Sequence, residues 1–199
     1  MLDLILDLDK GINLVYGESA TGKTTLCLQF AGDEAKNGKV VFLDTENGFS
    51  LERFVQMYSE DYKERLNNVI LIRIPGFEEQ CRIFETLRNM KKIRLVIIDT
   101  IGMHYRQEVR KDHYATNKKI DRQLQILKEL SKREVKVIVS NQVYSNIDTK
   151  KLQVVGGNML KNWSSVVIRM EKEPRKIIRE KPESAVNSFK ISNKGIELL

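Results

Sequence analysis

Eight consecutive residues, Gly17-Glu18-Ser19-Ala20-Thr21-Gly22-Lys23-Thr24, limit what this chain can become more than any other stretch. They match the phosphate-loop pattern G-x-x-x-x-G-K-[ST] without a mismatch, and the flanks suit it. Ile12 to Tyr16 reads as a short buried strand, and Thr25-Leu26-Cys27-Leu28-Gln29-Phe30 opens a helical pattern. The chemistry needs these residue types in this order. Gly17 and Gly22 let the backbone turn so that successive N–H groups converge on phosphate oxygens. A helix starting near Lys23 brings the positive end of its dipole to the same place. Lys23 is expected at the β- and γ-phosphates and the Thr24 hydroxyl at a Mg²⁺ ion, so residues from Gly17 to Thr25 form a candidate site for a nucleoside triphosphate.

Strand and helix patterns alternate after this loop, which predicts an α/β domain with a mostly parallel sheet. Lys39 to Asp44 is a buried strand ending in the polar turn Asp44-Thr45-Glu46-Asn47-Gly48. Ser50 looks like an N-cap for a helix reaching about Tyr58. Val69 to Ile74 is the next strand, closed by Pro75-Gly76, and a helix runs from about Phe77 to Met90. Leu95-Val96-Ile97-Ile98 then delivers Asp99 to a strand end, where it can hold the Mg²⁺ ion or its hydration shell. Thr100 follows, so no glutamate adjoins Asp99 to activate water. Glu46, at the end of the strand after the phosphate-loop helix, is the best-placed carboxylate for that task.

Further along, Tyr105, Arg106, Arg110, Lys111 and Tyr114 fall in a stretch without periodicity (101–115), which suits a loop that meets a phosphate backbone and stacks on bases. A plain connecting loop is the other reading. His104 and His113 lack metal-ligand spacing. The helix expected from about Thr116 to Arg133 carries Arg122 on a charged face. The strand Val135 to Val139 leads to Ser140-Asn141-Gln142, where an amide can sense a γ-phosphate. A second loop, 143–155, carries Lys150 and Lys151. Gly156-Gly157 precedes Trp163 and a strand from Ser165 to Met170, and the tail, Ile177 to Arg179 and Ala185 to Ile191 around Pro182, reads as a closing hairpin.

Charge is distributed unevenly. Residues 1–100 hold 13 Lys/Arg against 16 Asp/Glu, a net −3, whereas residues 101–199 hold 21 against 11, a net +10. A basic second half suits a polyanionic partner, although a Lys-rich solvated surface gives the same tally. With no apolar run near the roughly 20 residues of a membrane span, and an apolar opening that carries acids and no basic segment, a membrane or secretory role is not indicated. Cys27 and Cys81 each sit inside an apolar helical pattern and read as small core residues in a reducing cytoplasm.

Taken in order, the phosphate loop, Asp44-Thr45-Glu46, Phe49-Ser50-Leu51-Glu52-Arg53, Ile98-Asp99-Thr100, Arg122-Gln123, Ser140-Asn141-Gln142-Val143 and Gly156-Gly157 resemble the RecA-type recombinase core in its RadA/RadB branch. The resemblance spans roughly residues 11–197 and is greatest to the archaeal RadB group, on chain length, Tyr105-Arg106 and Trp163. It implies a RecA-like ATP-binding domain over residues 1–199 that binds ATP and Mg²⁺, hydrolyses ATP and acts on DNA in recombination and repair. By the same resemblance Lys23, Glu46 and Gln142 are catalytic, with Glu46 polarising the attacking water. Gln142 would couple nucleotide state to the DNA loop after it, and Arg53 would lie against the adenine. Residues 106–115 and 143–155 would be the two DNA loops, making Arg106, Arg110, Lys111, Arg122, Lys150 and Lys151 DNA contacts.

About ten residues precede the first core strand, so the N-terminal DNA-binding domain of full recombinases is expected to be missing. An accessory or mediator role beside the main recombinase follows from that expectation, possible homo-oligomers included. The family's ATP site is completed across a subunit interface, so weak turnover is expected of a lone protomer. Two rivals stand beside this reading: a nucleotide-gated module that binds a recombinase and hardly touches DNA, and a P-loop kinase for a small molecule.

Overall fold

The structure, a computed structural model, describes residue 8 and residues 11–145, 152–154 and 158–199. Lys150, Lys151 and Gly156-Gly157 lie outside the described residues. The strands are β1 Ile12–Gly17, β2 Lys39–Asp44, β3 Val69–Arg73, β4 Ile93–Asp99, β5 Lys136–Ser145, β6 Leu152–Val154, β7 Val166–Lys172, β8 Arg175–Lys181, β9 Ala185–Ser192 and β10 Gly195–Leu198. The helices are α1 Lys23–Ala35, α2 Leu51–Met57, α3 Tyr62–Leu66, α4 Phe77–Asn89, α5 Tyr105–Glu108, α6 His113–Lys132 and α7 Asn158–Trp163.

Among the described residues the strands form one sheet in the order β10-β9-β8-β7-β1-β5-β4-β2-β3, with β6 paired to the end of β5. From β7 through β1, β5, β4 and β2 to β3 the neighbours run parallel, and β7 to β10 form an antiparallel meander. The central strands are near-continuous apolar runs because both faces of a parallel sheet are covered. One face packs Leu14, Tyr16, Val96 and Val137 under α4 and α6. The other packs Val15, Phe42, Ile97 and Ile138 under α1 and Phe54 of α2. β3 ends the sheet, and on this edge Ile70 and Leu71 are 37% and 36% exposed. An apolar edge of this kind is open to pairing with another strand.

The expected α/β layout holds, with four differences that have local causes. The stretch 101–115 is not all loop: α5 forms within it, and α6 starts at His113 because the Asp112 carboxylate accepts the Ala115 N–H at 2.9 Å. β5 continues past Gln142 to Ser145, where Val143 pairs with Val154, so the expected second loop begins as paired strand. α7 precedes β7. The closing hairpin is a four-stranded meander, because β8 reads R-K-I-I-R-E-K and its charges mask the alternation that buries Ile177.

Candidate nucleotide and nucleic-acid site

The register of the parallel strands brings the polar strand ends to one rim of the sheet. Gly17 stands opposite Gln142, Asp44 opposite Asp99, and Ile98 opposite Val139, which sets Asp99 beside Ser140. This carboxyl rim is where open α/β sheets bind ligands.

The phosphate loop runs from the end of β1 into α1. A Cβ at Gly17 would stand 2.3 Å from the Met170 carbonyl oxygen, so only glycine lets β1 and β7 approach this closely. Gly22 has φ +104° and Ala20 φ +63°. Alternation of left- and right-handed residues turns successive N–H groups to one side and builds an anion-binding concavity. Within it Thr21 Oγ1 donates to the Glu18 carbonyl at 3.0 Å. The Lys23 ammonium donates to the carbonyls of Gly17 at 3.0 Å and Glu18 at 2.7 Å, folded back on the loop itself. Burial lowers the Lys23 pKa from the usual lysine value, and the carboxylates of Asp99 and Glu46 pull it partly back. Ser19, Ala20, Gly22 and Thr24 line a hollow of 140 Å³ that Glu46, Thr100 and Gln142 close from the other side.

Asp99 is 2% exposed and receives hydrogen bonds from the hydroxyls of Ser140 and Thr24. Burial raises its pKa, the two hydroxyls lower it, and the carboxylates of Glu46 and Asp44 raise it again. A hydroxyl beside a buried carboxylate is a hard-oxygen pair, the donor set Mg²⁺ accepts when phosphate oxygens and waters complete its octahedron. No group of three or more His, Cys, Asp or Glu able to hold a metal occurs among the described residues. Thr24 and Asp99 supply two hard oxygens, so a Mg²⁺ ion held there would need phosphate oxygens and waters for the rest.

Asp44 organises the turn that carries Glu46. Its buried carboxylate accepts the backbone N–H groups of Glu46 at 3.2 Å and of Gly48 and Phe49 at 3.0 Å each. Below it, Thr45 Oγ1 donates to the Thr100 carbonyl and accepts the Thr100 N–H, both at 2.8 Å, locking the ends of β2 and β4 together. Replacing Asp44 by alanine leaves three donors without their acceptor. The expected result is a loss of about 1–3 kcal/mol in a urea melt.

Glu46 is the centre of a hydrogen-bonded chain. Its Oε1 accepts from Thr100 Oγ1 at 2.8 Å. Gln142 Nε2 donates to both its oxygens, at 2.9 and 2.8 Å. The Gln142 Oε1 in turn accepts from Arg106 Nη2 at 3.3 Å. The chain thus runs from the phosphate hollow to the first basic segment.

Other residues singled out in the sequence are placed as follows. Thr25 continues the first turn of α1. Arg53 is in α2, capped by Ser50 Oγ at 3.1 Å, and its guanidinium donates to the Ser192 carbonyl and to Gln56. Ile191, next to Ser192, is the residue a Cβ at Gly22 would strike at 2.9 Å, so it is the end of β9 holding Arg53 that packs against the phosphate loop. Arg110 is exposed, Lys111 pairs with Glu108 at 2.8 Å, and Tyr114 is 80% exposed at the start of α6. Arg122 is not brought to this rim cluster; it lies on α6 with its guanidinium on Glu85 of α4 at 2.8 Å. Asp44, Thr45, Ser140 and the hydroxyl of Thr100 carry no role of their own in the sequence reading. The turn signal D-T-E-N-G could have marked Asp44, because Asp side chains accept from their own turn. Ser140 had no local signal, since its partner depends on register.

Known proteins resemble this chain along most of its length. The family model described as Rad51 matches residues 7–197. The DNA repair and recombination protein RadB of Methanococcus maripaludis is 33% identical over 202 residues, covering 96% of this chain and 92% of that protein. The protein of the same name from Pyrococcus abyssi (strain GE5 / Orsay) is 37% identical over 196 residues, covering 92% and 83%. A crystal structure of the RadB recombinase superposes with a TM-score of 0.80 at 32% identity and covers 98% of this chain and 94% of that one.

Proposed function

The chain belongs to the Rad51 family, and from that premise we propose that it is an ATP-binding, weakly ATP-hydrolysing, DNA-binding protein of homologous recombination and repair, acting in the cytoplasm as an accessory to the main recombinase. The chain Glu46–Gln142–Arg106 carries the proposal, because it ties a nucleotide-facing carboxylate to a basic segment. Thr24 and Asp99 would hold a Mg²⁺ ion, which would supply positive charge to the triphosphate oxygens when bound. Lys23 leaves the carbonyls of Gly17 and Glu18 for the phosphates. Glu46 takes the proton of the attacking water, and once protonated it is a weaker acceptor for the Gln142 amide. Gln142 then changes its hold on Arg106, so that the posture of the basic segment follows the nucleotide. Arg53 faces the base, and Arg106, Arg110 and Lys111, with Lys150 and Lys151, meet the phosphate backbone of single-stranded or branched DNA. Arg122, already engaged by Glu85, is the remaining cation of this set.

Salt dependence tests the DNA contact. Each neutralised phosphate on a single strand contributes about −0.7 to the log–log slope of affinity against salt. Removing Arg110 and Lys111 together is expected to flatten the slope by about 1.4, the sum for two contacts. A flat response in the unmodified chain would favour the second reading, a nucleotide-gated module that binds protein. The exposed apolar edge at Ile70 and Leu71 supports that one, since such edges accept a strand from another chain.

A further inference from the structure

On the sheet face covered by α4 and α6, just behind the phosphate loop, a compact cluster of polar groups takes no part in the nucleotide chemistry. Tyr16 is the residue before Gly17, and its hydroxyl donates to Glu180 Oε1 of β8 at 2.7 Å. The Lys161 ammonium donates to that same hydroxyl at 2.8 Å and to Glu180 Oε2 at 2.8 Å, and it lies 4.5 Å from the centroid of the Tyr16 ring. Arg169 of β7 completes the set with an ion pair to Glu180 at 3.3 Å.

Lys161 is the member of this cluster that sits on α7. Two residues on, Trp163 Nε1 donates to Asp121 Oδ1 of α6 at 3.0 Å. α6 follows the first basic segment in the chain, and α7 follows the second. The short helix α7 is therefore bonded on one side to the strand that enters the phosphate loop and on the other to the helix that leaves the first basic segment.

We propose that Lys161 is a positioning residue, coupling the phosphate-loop strand to α7 and through α7 to α6 and the first basic segment. The proposal rests on the nucleotide-gated DNA binding argued above and supplies it with a second route, independent of Gln142. Lys161, Glu180 and Arg169 are 33%, 30% and 34% exposed, and ion pairs this open to water contribute little to folding stability. What the cluster does fix is geometry. One hydroxyl, both carboxylate oxygens and one aromatic face are engaged at once, so a displacement of Tyr16 either moves Lys161 or breaks several contacts together. Tyr16 is covalently joined to Gly17, whose carbonyl holds Lys23 until a phosphate claims it. Coupling needs a discrete element that both sites bias, and α7 is that element.

The protein carries its own probe, since Trp163 is its single tryptophan. With a magnesium-bound, non-hydrolysable ATP analogue, Trp163 emission is expected to change in the unmodified protein. Lys161→Met and Tyr16→Phe are expected to bind the analogue within about 3-fold of it, while the Trp163 response falls about 5-fold or more. Lys161→Arg, which keeps a cation within reach of Glu180 and the ring, is expected to restore the response. A full-sized response in both Lys161→Met and Tyr16→Phe would overturn the proposal, as would a silent Trp163 in the unmodified protein with the analogue bound. Single-stranded DNA affinity, measured with and without the analogue, separates the two readings. If Trp163 responds through Lys161 while DNA affinity ignores the analogue, the gating of DNA and the reach of α7 to the basic segment both fail, and only the link from Tyr16 to α7 stands.

Discussion

Lys23→Ala is expected to abolish nucleotide binding while leaving the fold intact. The Lys23 ammonium is the cation buried among the residues of the cradle, and it already spends its donors on the carbonyls of Gly17 and Glu18. Gly17 and Glu18 line the neighbouring cavity beside β7, so their carbonyls can take water when the side chain is removed, and the melting temperature should move little. A triphosphate has no such replacement. Truncating one partner of a buried, hydrogen-bonded charge pair costs about 2–5 kcal/mol, or roughly 30-fold to several-thousand-fold in affinity. Equilibrium binding of a fluorescent ATP analogue measures it. Unimpaired binding by a folded Lys23→Ala protein would remove the phosphate loop from the mechanism.

Glu46→Gln should separate binding from turnover. Glu46 is exposed at the rim, and it reaches the hollow through Thr100 and Gln142, not through the cradle's own backbone. A glutamine retains a carbonyl oxygen for both donors, so the local fold and analogue affinity should survive. It cannot accept a proton from water, and loss of a positioned general base lowers a rate by about 10²–10⁴-fold. Phosphate release under single-turnover conditions, beside a binding titration on the same sample, gives both values. Hydrolysis at the unmodified rate would dismiss Glu46 as the base and leave the hydrogen-bonded chain as a purely structural tie.

These two residues were legible because each lies in or beside a local pattern. The phosphate loop announces itself in eight letters, Asp99 ends an apolar run that reads as a buried strand, and Gln142 lies three residues past another. Asp44 was read as part of a polar turn, yet its carboxylate holds that turn in shape. Ser140 owes its place at Asp99 to the offset between β4 and β5, a relation across 41 residues that composition cannot carry. Short elements were missed for a related reason. α5 spans four residues and α7 six, too few for a periodic signal, and tertiary bonds such as Trp163 to Asp121 hold α7 in place. In β8, charge concealed a strand that its neighbours define.

The placing of β1 has a consequence for how the molecule comes into being. Its register joins Ile12 to Val137 on one side and Asn13 to Val166 on the other. A nascent chain leaving the ribosome makes the phosphate loop well before β5 and β7, and cannot flank β1 until both of those strands have been synthesised. Contacts of such long sequence separation form slowly, because a large loop must close before they are rewarded. The nucleotide pocket is thus among the last parts to mature, and chains cut short before β7 would carry the motif without the pocket.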